Sequence, residues 1–310
     1  MPDETLSKFT VTPIDVDQVD EQWRQPVVPV GNGLTLEEGF LTSDQFDLWK
    51  DFISRKERDR LGAIRYALVH RFQGSLAQGK EDEDSKSFMN HVFVCLRLVK
   101  PTRRPFQVVQ GYLKQERPEI YSFTHPLIEH VNIPVTQSLN KIKAEDVKTL
   151  TTILPTFMDI SRPEFKAIYL QRAIQFYERG YSATADPTLQ FVSWMIGIEA
   201  VVSRGEQIEQ NQLEKILGER FGDIDVKAPQ WREYYGKAHQ PLLVKTQVDN
   251  LMALRNAIVH AQPVPQALRV MYEDYFGHRY ELSTYLCAAA AMILQNAVLQ
   301  EISALDPRSR

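Results

Sequence analysis

Apolar residues recur at three- and four-residue steps through most of the second half of this chain, the spacing that gathers them on one side of an α-helix. Phe165, Ile168, Tyr169, Ala173, Phe176 and Tyr177 mark one such helix, with Pro163 at a favoured first-turn position. Asp186-Pro187 opens a second, in which Leu189, Val192, Trp194, Ile196, Ile198, Val201 and Val202 leave little polar face, so a central position is expected. A short helix over 210–221, a long one over 242–260 halted by Pro263 and Pro265, and a last one over 280–305 complete the set. Trp194 and Tyr177 fall at core spacing and read as packing residues.

The first half is less regular. Residues 1–40 mix β-type runs (Phe9-Thr10-Val11-Thr12; Val27-Val28-Pro29-Val30) with prolines and the turn Gly31-Asn32-Gly33, an extended or hairpin lead-in. Thr42-Ser43-Asp44 makes a good cap for a helix with Phe46, Trp49, Phe52 and Ile53 on one stripe, and the helical pattern continues through Arg65 to Phe72. The charge run Glu81-Asp82-Glu83-Asp84 reads as a solvated loop leading into a helix over 85–99, stopped by Pro101. Irregular structure with two short strands is expected over 101–134, then a short helix over 144–154 and a junction between Pro155 and Pro163. The resulting fold class is mainly all-α: a four- to five-helix bundle over 159–310, preceded by a mostly helical domain over 1–158 with a few short strands.

A chain of 310 residues accommodates two domains, each with its own core. With 43% hydrophobic and 25% charged residues and a formal net charge of -4, there is no global basic excess, so any nucleic-acid site has to be a local patch. Lys100, Arg103 and Arg104, beside Phe106, form one candidate RNA contact. The N-terminus lacks the pattern of a secretory signal, and the Ala-rich stretch from Tyr285 to Leu294 is too short to span a bilayer, so a cytoplasmic location without membrane association is expected. Cys95 and Cys287 stand in apolar surroundings and read as buried free thiols. His125, His130, His239 and His278 have no carboxylate or cysteine partners at ligand spacing, and no Gly-rich phosphate loop occurs, so neither a metal nor a cofactor is expected.

One stretch looks built for chemistry: Asn250-Leu251-Met252-Ala253-Leu254-Arg255-Asn256-Ala257-Ile258-Val259-His260-Ala261. Arginine supplies a permanent cationic fork suited to phosphate, and histidine trades protons near neutral pH. The Arg-x4-His spacing is not distinctive by itself, because Arg65 and His70 reproduce it within a segment rich in charge. The later copy differs in having Asn256 directly after the arginine and in lying on an otherwise apolar helix, where polar groups have to be paired or used. At about 100° per residue, Asn256 and His260 share a face while Arg255 projects about 140° away from His260. Glu199, embedded in the central helix, is the natural carboxylate partner for such an arginine.

Residues 160–310 resemble a HEPN domain of the ApeA-like type, whose hallmark is an Arg-polar-x-x-x-His run near the end of a helix. Here that run is Arg255-Asn256-Ala257-Ile258-Val259-His260. Gln171-Arg172-Ala173-Ile174-Gln175-Phe176 is similar to the first helix of such domains, and Ile196-Gly197-Ile198-Glu199-Ala200-Val201-Val202 to the second, with its embedded glutamate. The resemblance implies a homodimer in which motifs from two subunits face each other and cleave RNA without metal, in a microbial defence or toxin setting. A neutralising or regulatory protein partner belongs to the same expectation.

The residue chemistry fits that activity: His260 is suited to proton transfer during attack of a 2′-hydroxyl on the adjacent phosphorus, Arg255 to stabilising charge on the phosphoryl oxygens, and Asn256 to orienting either. Two rivals remain. One is a non-catalytic HEPN-like module for dimerisation, nucleotide binding or protein interaction; the other is an unrelated helical adaptor in which these side chains only stitch helices together.

Overall fold

The computed structural model describes residues 6–14, 18–19, 27–31, 33–40, 66–75, 79–100, 108–114, 117–123, 141–182, 187–221, 244–269, 271–273 and 279–305. The chain divides into two compact units, one formed by 1–129 with 139–155 and the other by 130–138 with 156–310.

The first unit overturns the all-α expectation. Its centre is a six-stranded sheet built from β1 (Leu6–Ile14), β3 (Val27–Gly31), β4 (Leu34–Glu38), β5 (Tyr66–Gly74), β6 (Val109–Lys114) and β7 (Arg117–Phe123), in the order β3-β4-β5-β1-β6-β7. Every pairing is antiparallel. A two-residue strand, β2 (Gln18–Val19), pairs separately with β8 (Lys141–Ile142). The chain is therefore α+β, and neither "all-α" nor "helical bundle" describes it. Tyr66–Gly74, read from sequence as the end of a helix, is a central strand, whereas the rest of that expected helix, 42–65, lies outside the described residues. A strand covered on both faces carries a continuous apolar run instead of a clean alternation, and such a run matches helical spacing equally well.

Register sorts the sheet's side chains. Phe9, Val11, Ala67, Val69 and Val109 form one apolar face, joined by Phe40, Leu113 and Ile120. Gly111 lies opposite Phe9 on this face, where an added Cβ would stand 2.3 Å from the Phe9 ring and 2.2 Å from the Glu119 carbonyl oxygen, so no larger residue fits. The other face carries the Lys8, Thr10, Thr12, His70 and Gln110 positions and receives α1 (Lys80–Val99). The acidic run expected as a solvated loop is the first turn of α1: Asp82 accepts from the Gly79 N–H at 2.9 Å and is buried. A proline stands in each terminal strand of the sheet, Pro29 in β3 and Pro118 in β7.

Next comes α2 (Ala144–Ile160), with Pro155 inside it. The second unit is mostly helical: α3 (Ile168–Ser182), α4 (Pro187–Ser203), α5 (Gln210–Phe221), α6 (Val244–Val259) and α7 (Leu282–Leu305), with the small antiparallel pair β9 (Met271–Glu273) and β10 (Arg279–Glu281) before α7. Helix α4 is central, packing against each of the other four. Trp194 is fully buried, and its indole N–H donates to the Tyr177 carbonyl at 3.2 Å. That approach needs Gly180, since a Cβ there would fall 2.1 Å from the indole nitrogen. Glu301 ties three helices together, accepting from Tyr169 on α3 at 3.0 Å and from Arg204, just past α4, at 2.9 Å.

No helix among the described residues is long and apolar enough to cross a membrane.

Candidate functional site

Helix α6 is positioned by Val248, Leu251, Met252, Leu254 and Ala257, which are buried at helical spacing. Its end is shaped by a specific cap. The Ala261 N–H donates to the Ile258 carbonyl at 3.1 Å and the Gln262 N–H to the Ala257 carbonyl at 2.7 Å, the paired reverse bonds of a Schellman ending. Such an ending calls for a left-handed residue after the helix, and here that residue is Ala261 with φ +50, a position that costs an L-residue about 1 kcal/mol relative to glycine. Pro263 then prevents continuation. His260 is consequently the last residue before the chain turns away, and it is exposed.

Arg255 faces the neighbouring helix α4. Its Nε and Nη2 reach Glu199 Oε1 at 3.0 and 2.9 Å, and Nη1 donates to Asn256 Oδ1 at 3.2 Å. The Arg255 and Glu199 side chains keep 25% and 30% of their exposure, so the pair is only half-buried. These contacts leave one hydrogen on each Nη of the guanidinium, and the Asn256 amide nitrogen, uncommitted among the described residues. No side-chain bond or ion pair engages the His260 imidazole among the described residues; the residue's backbone N–H closes the helix on the Asn256 carbonyl at 3.0 Å.

The structure therefore brings Arg255, Asn256 and Glu199 together and leaves His260 beside them on the same helix end but outside their hydrogen-bonded group. Next to the Arg255–Glu199 pair lies a cavity of about 290 Å³ between α4, α5 and α6. Its apolar lining is Ile208, Leu213 and Met252, and its polar lining includes Glu206 and Gln207 from the loop after α4. Neither of those two side chains has a bonded partner among the described residues, and sequence spacing alone does not single them out.

The remaining candidates sit elsewhere. Lys100 is buried at the end of α1, where its backbone N–H donates to the Leu96 carbonyl at 2.7 Å. Burial pulls its ammonium below the usual lysine range, with the charges of Asp146 and Glu145 acting against that shift and Lys143 adding to it. Arg103, Arg104 and Arg65 lie outside the described residues. His70 sits on β5, inside the sheet unit. Cys95 and Cys287 are buried free thiols, the latter pushed by burial up to about 12. Among the described residues no cluster of histidine, cysteine or carboxylate side chains could hold a metal ion.

A second polar arrangement, in the sheet unit, went unnoticed in the sequence. Lys8 Nζ lies 2.8 Å from Asp82 Oδ2, with the two side chains 1% and 3% exposed. Tyr121 donates to Asp82 Oδ1, and Gln110 donates to the Asp82 carbonyl at 2.9 Å and to Thr10 Oγ1 at 3.3 Å. Ser85 donates to Thr10 Oγ1 at 2.7 Å, and its oxygen stands 2.8 Å from His70 Nδ1. With the Ser85 proton directed to Thr10, the imidazole donates through Nδ1. Burial tends to raise the Asp82 carboxyl, but hydrogen bonds from Lys8, Tyr121 and Gly79 outweigh it and hold the group below the usual carboxylate range. Burial also lowers His70, which is held neutral between Phe72 and Phe88.

No family model matches the sequence, and no curated protein or solved structure matches it.

Proposed function

We propose that this chain is a metal-independent endoribonuclease of the HEPN type that acts as a homodimer, with Arg255, Asn256 and His260 as its working residues. The observation that carries this reading is the open state of the α6 end: an exposed imidazole without a partner, beside a guanidinium with hydrogens to spare. The Arg255 guanidinium is only partly exposed yet is not saturated within the chain, which leaves it able to meet an anion beside the exposed imidazole. Arg255 and His260 point about 140° apart on one helix, which favours a site assembled from two copies.

In that site one His260 takes the 2′-hydroxyl proton as the 2′-oxygen bonds to phosphorus. The bond from phosphorus to the 5′-oxygen breaks, and the His260 of the second copy returns a proton to that oxygen. Arg255 holds the non-bridging oxygens through its free hydrogens, and Asn256 orients the phosphate through its amide. A defence or toxin role, held in check by a protein partner, goes with this reading as its biological setting.

A non-catalytic module for dimerisation, nucleotide binding or protein interaction is the rival, and it draws on the Arg255–Glu199 bond, which already gives the arginine a structural use.

Incubating the purified chain with mixed RNAs in EDTA separates the two. The expected products are fragments ending in 2′,3′-cyclic phosphate, absent with His260→Ala. Adding an excess of His260→Ala subunits to the intact chain is expected to poison cutting, because each mixed dimer keeps only one of the two histidines that the site uses. No cleavage of any RNA removes the enzyme reading; cleavage that falls only in proportion to dilution of the intact chain removes the two-copy arrangement.

A further inference from the structure

The cavity beside Arg255 has the lining of a base-reading pocket rather than a phosphate pocket. Glu199 and Glu206 place carboxylates on its wall, and these repel a phosphate from the interior while leaving the free Arg255 hydrogens available at its side. Of the apolar lining, Ile208 is partly exposed and offers a surface for one face of a flat ring, while Leu213 and Met252 are almost fully buried. At about 290 Å³ the space is small for a whole nucleotide and sufficient for one heterocycle.

The polar groups then decide which heterocycle. A carboxylate only accepts hydrogen bonds, so Glu206 asks for donors, while the Gln207 amide can donate to a carbonyl oxygen. Among the four RNA bases, guanine alone presents two adjacent N–H donors beside a carbonyl on its pairing edge. Adenine and cytosine each set an acceptor next to their amino group, and uracil flanks its single N–H with two carbonyls. An acceptor turned toward a carboxylate is repelled, which gives the pocket its selectivity.

We propose that this cavity is a guanine site: Glu206 accepts from N1–H and N2–H, Gln207 donates to O6, and the ring lies against Ile208. A guanine held there sets its own phosphate next to Arg255, so guanine flanks the bond that is cut. This last step rests on the ribonuclease reading; the guanine preference does not.

Calorimetric titration of the full chain with 5′-GMP, 5′-AMP, 5′-CMP and 5′-UMP tests the preference directly. GMP is expected to bind at least about tenfold more tightly than the others, and Glu206→Gln, an exposed and shape-conserving change, to erase that margin. Equal binding of all four nucleotides, or a preference untouched by Glu206→Gln, overturns the proposal. Mapping the ends of fragments from a randomised RNA is expected to show guanine enriched on one side of the cut; an even distribution overturns the proposal while leaving the ribonuclease intact. A GMP preference without cleavage of any RNA upholds the pocket and removes the ribonuclease.

Discussion

The seam beneath α1 and the end of α6 are both built from a cation, a carboxylate, an amide and a histidine, yet they have opposite character. In the seam, Lys8 and Asp82 are sealed from water, and Tyr121, Gln110, Thr10, Ser85 and His70 link into one connected set of bonds. At the α6 end, Arg255 and Glu199 are half open, Asn256 is half spent and His260 is unengaged among the described residues. A closed network pins a helix to a sheet, whereas an open one keeps bonding capacity for a visitor. The same contrast separates the two Arg-x4-His runs: His70 serves the closed set from a strand, and His260 belongs to the open one at a helix terminus.

The sharpest way to break this contrast is to exchange the fates of the two histidines. His260→Ala is expected to lower RNA cleavage by at least about a hundredfold with little change in stability, the usual reach of a general acid or base. His70→Ala is expected to leave cleavage in place and loosen the sheet unit, seen as faster amide exchange in β1 and β5. If both variants lose activity equally while folded, the distinction fails.

Removing the carboxylates comes next. Asp82→Ala strands a buried ammonium and is expected to cost about 3–5 kcal/mol in chemical denaturation. Glu199→Ala, at a half-exposed pair, is expected to cost under about 1 kcal/mol. Similar losses for both would show that the α6 pair is also a structural clasp.

Acid sharpens the same comparison with a smaller effect. His70 is held below its ordinary value of 6.5, so on acidification the unfolded chain takes up the proton first, and stability begins to fall as the pH drops through about 6.5. Asp82 is also held low, so its contribution is complete above the usual carboxylate range and is lost at more acid pH, as the folded carboxylate protonates. Urea midpoints measured against pH should show both steps, and His70→Gln should shrink the one near neutrality to the part contributed by His91, which burial on α1 also lowers, while leaving the acid step in place. The smallest effect belongs to Ala261→Gly, which relieves the left-handed alanine and is expected to stabilise the α6 end by about 1 kcal/mol, read as slower exchange at its last amides.

Helical parts of this fold were legible because α3 carries an apolar stripe at helical spacing, and α4 and α7 are apolar runs too long for strands. The sheet was not, for a reason visible in Tyr66-Ala67-Leu68-Val69: covered on both faces, the strand has no polar side to announce its period. Asp82 shows the deeper difficulty. Within Glu81-Asp82-Glu83-Asp84 nothing local distinguishes it, and its burial follows from Lys8, 74 positions away in sequence, arriving across the sheet. Glu199 could be nominated for an arginine because a charge in an apolar helix needs a partner, and it is the acid that Arg255 meets. Glu206 and Gln207 carry no such mark; only the packing of α4, α5 and α6 gives them a common space.

The prolines at the two ends of the sheet bear on how copies of this chain meet. An edge strand exposes a ladder of amides that can template a strand from another molecule, the beginning of cross-β aggregation. Pro29 deletes a donor from β3, whose pairing with β4 is also interrupted by a bulge, and Pro118 does the same in β7, whose pairing with β6 is likewise kinked. Strand-to-strand polymerisation is thereby discouraged at both margins, so the dimer proposed above would form through side chains on helices instead of by sheet extension.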